Sequence, residues 1–260
     1  MAQMQLRICH LYPELMNIYG DRGNVITIAK RCLWRDITAS VTDISLGEPI
    51  EPTDFDFFFI GGGQDREQIL VCEDLIREKG QAIRQAVEEG AGLLSICGGY
   101  QLLGKYFLTY TGEDLPGVSL FDVKTVGGDA RFIGNVAVEC DLEGARGMLV
   151  GFENHSGRTR LGSGCRPLGK VLKGYGNNGE DGTEGCVYKA ALGTYLHGSL
   201  LPKNPQLADW FILHALQRRY QLEELPKLDD SYENTAHEAA LRLTLGFRSR
   251  ISSFMPLSGK

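Results

Sequence analysis

Cys97 stands where an apolar run, Gly92-Leu-Leu-Ser-Ile96, meets a glycine pair, Gly98-Gly99, and a helix-forming stretch begins at once. A strand–turn–helix corner of this kind exposes the side chain at its tip, as in the nucleophile elbow of hydrolases. The two glycines permit a backbone too tight for a Cβ. A helix N-terminus behind the sulfur favours the thiolate. The Gly98 amide then points to where an oxyanion develops when the thiolate attacks a carbonyl carbon. Burial at a strand end is the ordinary fate of an intracellular cysteine, and Cys9, Cys32, Cys140, Cys165 and Cys186 are read that way. The glycine pair after Cys97 has no packing purpose, so Cys97 is read as a nucleophile.

A thiol nucleophile needs a base. His197 ends another apolar stretch in Tyr195-Leu-His-Gly198, 100 positions downstream. Its imidazole could take the thiol proton and hand it to a leaving ammonia. His155, in Gly151-Phe-Glu-Asn-His-Ser-Gly-Arg158, competes for that role. His10, His214 and His237 fall inside element patterns and read as structural or exposed. Gly61-Gly-Gly-Gln-Asp65 closes the clearest strand of the chain. A backbone amide there is a candidate second oxyanion donor. No Gly-Lys-Ser/Thr follows it, so it is not a phosphate loop. No dinucleotide fingerprint and no His/Cys cluster with metal spacing occurs, so no metal site is expected.

The elements that must hold these residues alternate. Residues 5–10, 41–45, 54–60 and 92–96 read as strands, and residues 24–34, 75–89 and 100–107 read as helices. This order, with glycines at strand ends, predicts an α/β fold: a mostly parallel sheet with helices on both faces. Ligands bind such sheets beyond the carboxyl ends of the strands, where Gly61–Gly63, Cys97 and His197 all fall. The second half differs. Residues 131–140 and 147–153 have β character, 174–182 reads as a mobile loop, and 191–196 is a further strand. Helices are expected over 204–220 and 233–245, with a basic, loosely held tail from 248 to 260.

Composition bounds the function. The chain has 260 residues, 43% apolar and 23% charged, with a formal net charge of −6. Such a chain supports a sizeable core. Its acidity argues against general affinity for nucleic acid or anionic membrane. No apolar run approaches the ~20 residues that span a bilayer, so no direct membrane insertion is expected. The first residues lack the pattern of a secretion signal. Seven cysteines, with no C-x-x-C pair, predict a reducing cytoplasm rather than a disulfide framework.

Gly-Gly-Gly-Gln-Asp, Ile-Cys-Gly-Gly-Tyr-Gln-Leu-Leu-Gly and Gly-Thr-Tyr-Leu-His-Gly together resemble class I glutamine amidotransferases, with their flavodoxin-like architecture. The chain looks closest to the cobyric-acid-synthase-like branch. Three further stretches are similar to the glutaminase subunits of lipid II isoglutaminyl synthase: His10-Leu-Tyr-Pro-Glu-Leu-Met-Asn-Ile-Tyr-Gly-Asp-Arg-Gly-Asn24, Arg131-Phe-Ile-Gly-Asn135, and Gly151-Phe-Glu-Asn-His-Ser-Gly-Arg-Thr159. The likeness runs from about His10 to Tyr220. It implies an amidotransferase domain over 1–222 and a C-terminal helical extension with a loose tail over 223–260. It implies that Cys97 attacks the side-chain amide of L-glutamine and that His197 is the base. Gly62 or Gly63, with Gly98, would be the oxyanion donors. Gln101 would help hold the substrate, and Arg131 would bind the α-carboxylate of free glutamine. The implied partner is a Mur-ligase-like (MurT-like) synthetase. It would carry ATP and magnesium, with no cofactor in this chain, and would amidate the D-glutamate α-carboxyl of lipid II to D-isoglutamine.

One departure matters. Many class I domains carry His-x-Glu, in which the acid orients the imidazole; here the run is His197-Gly198-Ser199. The orienting group must come from elsewhere in the chain, be a carbonyl, or come from the partner. Glu153 is the internal candidate. Three other readings remain open on sequence alone: an amidotransferase for a corrinoid carboxylate, a cysteine hydrolase on the same scaffold, and a catalytically silent binding subunit.

Overall fold

The computed structural model describes residues 3–246. Strand β1 (Gln5–Leu11) leads to α1 (Arg22–Leu33), and β2 (Thr38–Ile44) and β3 (Phe57–Ile60) follow. Helix α2 (Asp65–Asp74) passes through one wide π-type turn into α3 (Gly80–Glu88). Strand β4 (Gly92–Ile96) turns directly into the short α4 (Gly98–Leu103). A second group of strands comes next: β5 (Tyr106–Leu108), β6 (Asp114–Pro116), the long hairpin of β7 (Val123–Cys140) and β8 (Gly147–Leu161), then β9 (Gly169–Lys173) and β10 (Thr183–Glu184). The chain returns through β11 (Cys186–Tyr188) and β12 (Ala191–Thr194). It continues with α5 (Leu200–Lys203), α6 (Pro205–Tyr220) and α7 (Ser231–Leu245).

The first sheet has the order β11-β12-β4-β3-β1-β2. Every neighbouring pair is parallel except β11 with β12. Phe57, Phe58, Phe59 and Ile60 are all buried. Successive side chains point to opposite faces, so both faces of β3 are covered. That is why the strand reads as an unbroken apolar run rather than an alternation. Helix α1 packs on β1 and β2, and α6 packs on β1 and β4. The predicted α/β architecture is therefore present.

The second sheet was legible only as β character. Its order is β10-β9-β7-β5-β6, with β8 paired to β7. The β7–β8 hairpin is much longer than expected, and its register shifts between Gly127 and Phe132. Helix α7 packs on β7, β8, β9 and α5. The tail expected over 248–260 lies outside the described residues.

Three expectations need correction. The helix after Cys97 stops at Leu103 instead of running to 107, and Phe107 belongs to β5. The amides of Val118, Leu120 and Phe121 bond the carbonyls of Leu102 and Leu103, which closes the helix from its C-terminal end. Helix α2 was not anticipated. Its sequence, Asp65-Arg-Glu-Gln-Ile-Leu-Val-Cys-Glu-Asp74, buries only Gln68, Val71 and Cys72. Residues 174–182 are a loop, as read, but a tethered one rather than a mobile one. Asn177 and Asn178 are buried there, and their side chains bond Thr183, Gly185 and Thr159.

Two polar contacts hold the layers together. Arg31 of α1 is buried and donates to Asp209 of α6 at 2.7 Å and to Asp230, just before α7, at 2.6 Å. Asn204, fully buried before α6, accepts from the Val150 amide at 2.9 Å and donates to the Val150 carbonyl at 2.8 Å. It thereby fastens β8 of the second sheet to the helices of the first. Asn204→Ala leaves both backbone groups of Val150 without partners. The expected loss is about 3 kcal/mol of unfolding free energy, read as a lower urea midpoint at unchanged m-value.

Candidate active site

Cys97 sits at the corner between β4 and α4 with φ 47° and ψ −102°. A residue with a side chain rarely adopts such a backbone, and strain of this kind concentrates at functional positions. The Cys97 amide bonds the Thr194 carbonyl at 2.9 Å, so the corner is anchored to β12. The Gly99 amide bonds the Gly61 carbonyl at 3.1 Å, anchoring it to the loop after β3. A Cβ on Gly98 would lie 2.9 Å from the Gly63 nitrogen and 3.0 Å from the Gly63 oxygen. Only glycine allows that approach. Among the described residues, the amides of Gly63 and Gly98 have no acceptor. Two adjacent free N–H groups beside a thiol are what an oxyanion hole requires.

Gly62 is a correction. Its amide donates to the Asp21 carboxylate at 2.9 Å and is not free to serve an oxyanion. Of the two amides predicted from the triple glycine, only that of Gly63 remains available.

His197 follows β12, is fully buried, and pairs backbone to backbone with Phe152 of β8. Its Nδ1 lies 3.4 Å from both carboxylate oxygens of Asp21, itself fully buried. Its Nε2 is buried without a hydrogen-bond partner. The Tyr19 ring meets the imidazole edge-on, with centroids 5.0 Å apart. Burial opposes a charge on this ring. The negative charge of Cys97 and the hydrogen bond to Asp21 outweigh it, and the pKa is pushed up to about 10. The imidazole thus sits between the Cys97 sulfur and a buried carboxylate. The Cys97 sulfur is close enough to raise the His197 pKa but does not meet hydrogen-bond geometry with Nε2, as is common before substrate closes such a pair.

Glu153 is the second correction. Its carboxylate accepts from the amides of Tyr175 at 2.9 Å and Gly176 at 3.0 Å, and lies 3.7 Å from His155 Nε2. It belongs to the second sheet's interior and not to His197. His155, the competing base, is buried and stacked on Tyr195 with centroids 3.6 Å apart. Burial lowers its pKa.

Asp21 was missed by sequence reasoning. A signal existed: Asp21 lies between Gly20 and Gly23, beyond the carboxyl end of β1, the same edge that carries the other three segments. Gly23 packs so closely that a Cβ there would come 2.1 Å from Ser199 Oγ. Ser199 Oγ donates to the Gly20 carbonyl at 2.7 Å, and the Leu201 amide donates to Asn24 Oδ1 at 2.9 Å. The 20–24 segment thus clasps the turn that follows His197.

A cavity of about 460 Å³ opens in front of these groups. Cys97, Gly63, Gln101, Asp65 and Arg131 all line it. Gln101 donates to Tyr195 Oη at 3.1 Å, which fixes its side chain in the wall. Arg131 donates to Asn154 Oδ1 at 2.9 Å, and Asn154 donates to Tyr19 Oη at 2.7 Å. Among the described residues, no group of three or more His, Cys, Asp or Glu is arranged to hold a metal ion.

Fold and site define a triad-type amidotransferase domain, and the comparisons agree. The chain belongs to the CobB/CobQ-like glutamine amidotransferase domain family, whose model matches residues 7–205. Among curated relatives, it is 40% identical to the lipid II isoglutaminyl synthase (glutamine-hydrolyzing) subunit GatD of Staphylococcus aureus, over 91% of this chain and 95% of that protein. It is 37% identical to the same-named subunit of Streptococcus pneumoniae, over 87% and 86%. In fold, it is similar to the glutaminase domain of Trypanosoma brucei CTPS with bound acivicin. There the TM-score is 0.51 at 10% identity, covering 85% of this chain and 98% of that one.

Proposed function

We propose that the chain is a glutaminase subunit that hydrolyses L-glutamine and supplies ammonia to a Mur-ligase-like, MurT-like synthetase. The Cys97 sulfur attacks the side-chain amide carbon, and the Gly63 and Gly98 amides receive the developing oxyanion. His197 gives its proton to the leaving nitrogen, so ammonia departs and a γ-glutamyl thioester remains. Water then enters, His197 takes its proton, and glutamate leaves as the thiol is restored. Arg131 binds the α-carboxylate, Asp65 faces the α-ammonium, and Gln101 forms the wall beneath.

The partner activates the D-glutamate α-carboxyl of lipid II with its own ATP and magnesium. This chain needs no cofactor, and amidation yields D-isoglutamine for peptidoglycan. The reaction belongs to the cytoplasm. Seven unpaired cysteines suit that compartment, and no helix among the described residues is long and apolar enough to cross a membrane.

The observation that carries the reading is the shared cavity, where Cys97, Gly63 and Arg131 line one space. The acceptor rests on the likeness to the two GatD subunits. A corrinoid acceptor has less support. The match to the probable cobyric acid synthase of Methanocaldococcus jannaschii is 29% identical and spans 61% of this chain but 32% of that protein. The test is transfer of ¹⁵N from the side-chain amide of glutamine, using the chain with its synthetase, ATP, magnesium and lipid II. Label in D-isoglutamine is expected. Glutamine hydrolysis without label in the stem peptide would overturn the acceptor.

Arg131→Ala removes a charge-assisted contact with one end of the substrate. KM for glutamine is expected to rise about tenfold to a hundredfold with a smaller change in kcat. An unchanged KM in a steady-state ammonia assay removes Arg131 from the substrate site.

A further inference from the structure

We propose that Cys165 and Cys186 form a modification site: Cys165 is the thiol that a hydroperoxide oxidises, and Cys186 is the thiol that resolves it into a reversible disulfide. The site is separate from the cavity, whose lining includes neither residue. It stands whether or not the glutaminase reading does.

Geometry carries it. The Arg166 amide donates to the Val187 carbonyl at 3.2 Å, and the Val187 amide donates to the Arg166 carbonyl at 2.7 Å. Cys165 and Cys186 precede these residues on antiparallel segments. They therefore lie diagonally across the bridge, where side chains of one face still meet. The two thiols bond each other there. Cys165 is half-buried. Its Sγ donates to the Asp122 carbonyl at 3.5 Å, which holds the side chain in place. The Asp122 carboxylate pairs with Lys105, which is open to solvent. Cys186, by contrast, is fully buried. It pairs with Gly193 in the β11–β12 register. The Tyr100 ring fills the face at Gly193, where a Cβ would come within 2.1 Å of it. A dissolved oxidant reaches Cys165 and not Cys186.

The two thiols also differ in the way such a pair requires. The bond from Cys186 holds the Cys165 thiol below the ordinary cysteine range, and the Lys105 ammonium acts in the same direction against partial burial. Burial pushes the Cys186 thiol up, and its bond to Cys165 adds to that. Thiolate character and access decide which cysteine reacts first, and an adjacent second thiol makes the product reversible. The Cys165 sulfur attacks one peroxide oxygen. An S–O bond forms, the O–O bond breaks, and the departing hydroxide leaves as water with the Cys165 proton. Cys165 is then a sulfenic acid; its sulfur has given up the electron pair that reduced the peroxide. The Cys186 sulfur next attacks the Cys165 sulfur. An S–S bond forms, the S–O bond breaks, and hydroxide leaves as a second water with the Cys186 proton. An added dithiol reverses the bond by exchange. While it lasts, the disulfide closes a ring over β9, the 174–182 loop and β10, and ties it to the edge strand β11.

The test exposes the full, reduced chain to increasing hydrogen peroxide at neutral pH, as wild type, Cys186→Ser and Cys165→Ser. Dimedone traps any sulfenic acid, and proteolytic peptides are mapped by mass spectrometry without reductant. In wild type a Cys165–Cys186 cross-link is expected, at a peroxide concentration about tenfold or more below that which oxidises the buried Cys9 and Cys32. Dithiothreitol is expected to remove it. In Cys186→Ser the sulfenic acid has no resolving thiol, and the dimedone adduct at Cys165 is expected to rise about tenfold over wild type. In Cys165→Ser, Cys186 is expected to stay reduced at the concentration that cross-links wild type. No cross-link in folded wild type by the concentration at which Cys9 and Cys32 react overturns the proposal. So does a cross-link from either residue to a different cysteine, or a dimedone adduct at Cys186 in place of Cys165. The wild-type map needs no substitution and decides the matter if a variant does not fold. No glutamine is present, so failure here leaves the glutaminase reading untouched.

Discussion

Cys97→Ser is expected to abolish ammonia release from glutamine, by about four orders of magnitude or more in kcat, while the chain folds as before. Serine differs from cysteine by one atom in a site that is 6% exposed, so packing changes little. The chemistry changes greatly. A serine hydroxyl is a far weaker acid and nucleophile than a thiol, and loss of a nucleophile costs on this scale in comparable triads. The assembled complex should still amidate its acceptor when supplied with ammonium salts. That pair of results separates nitrogen supply from nitrogen use. Glutamine consumption by the variant in a coupled glutamate assay would remove Cys97 as the nucleophile. Failure with ammonium in a correctly assembled complex would show that Cys97 serves the second reaction as well.

Gly98→Ala is expected to lower kcat about a hundredfold to a thousandfold, the range found when one oxyanion donor is lost. The new methyl would meet backbone, not the end of a flexible side chain: the Gly63 nitrogen at 2.9 Å and oxygen at 3.0 Å. The loop after β3 must retreat, and the two donors separate. The thiol and the base stay in place, so alkylation of Cys97 should persist. A kcat within about fivefold of wild type would show that these amides do not hold the oxyanion.

Much of this site was written locally. The Gly92–Ile96 strand, the glycine pair and the cysteine between them form one corner, and a corner is a short-range object. His197 was legible for the same reason: it ends an apolar strand just before a glycine. The parallel sheet was legible because strands buried on both faces read as unbroken apolar runs. What escaped depended on contacts across the chain. Asp21 meets His197 only because β1 and β12 end at the same edge, 176 positions apart. Glu153 lies one residue from Phe152, which pairs with His197. Its side chain, however, turns to the amides of Tyr175 and Gly176. Gly62 and Gly63 are alike in sequence, and only the neighbouring carboxylate tells them apart. Helix α2 escaped because its apolar stripe is too narrow to stand out from its charges.

The contact between Gly23 and Ser199 has an evolutionary consequence. A methyl at the first position would collide with the hydroxymethyl at the second, although most of the polypeptide separates them. The two sites therefore cannot drift independently. A descendant that acquires a side chain at one must first give up bulk at the other, or forfeit the grip on the catalytic turn. Lineages diverging from this protein should carry that history as a paired exchange.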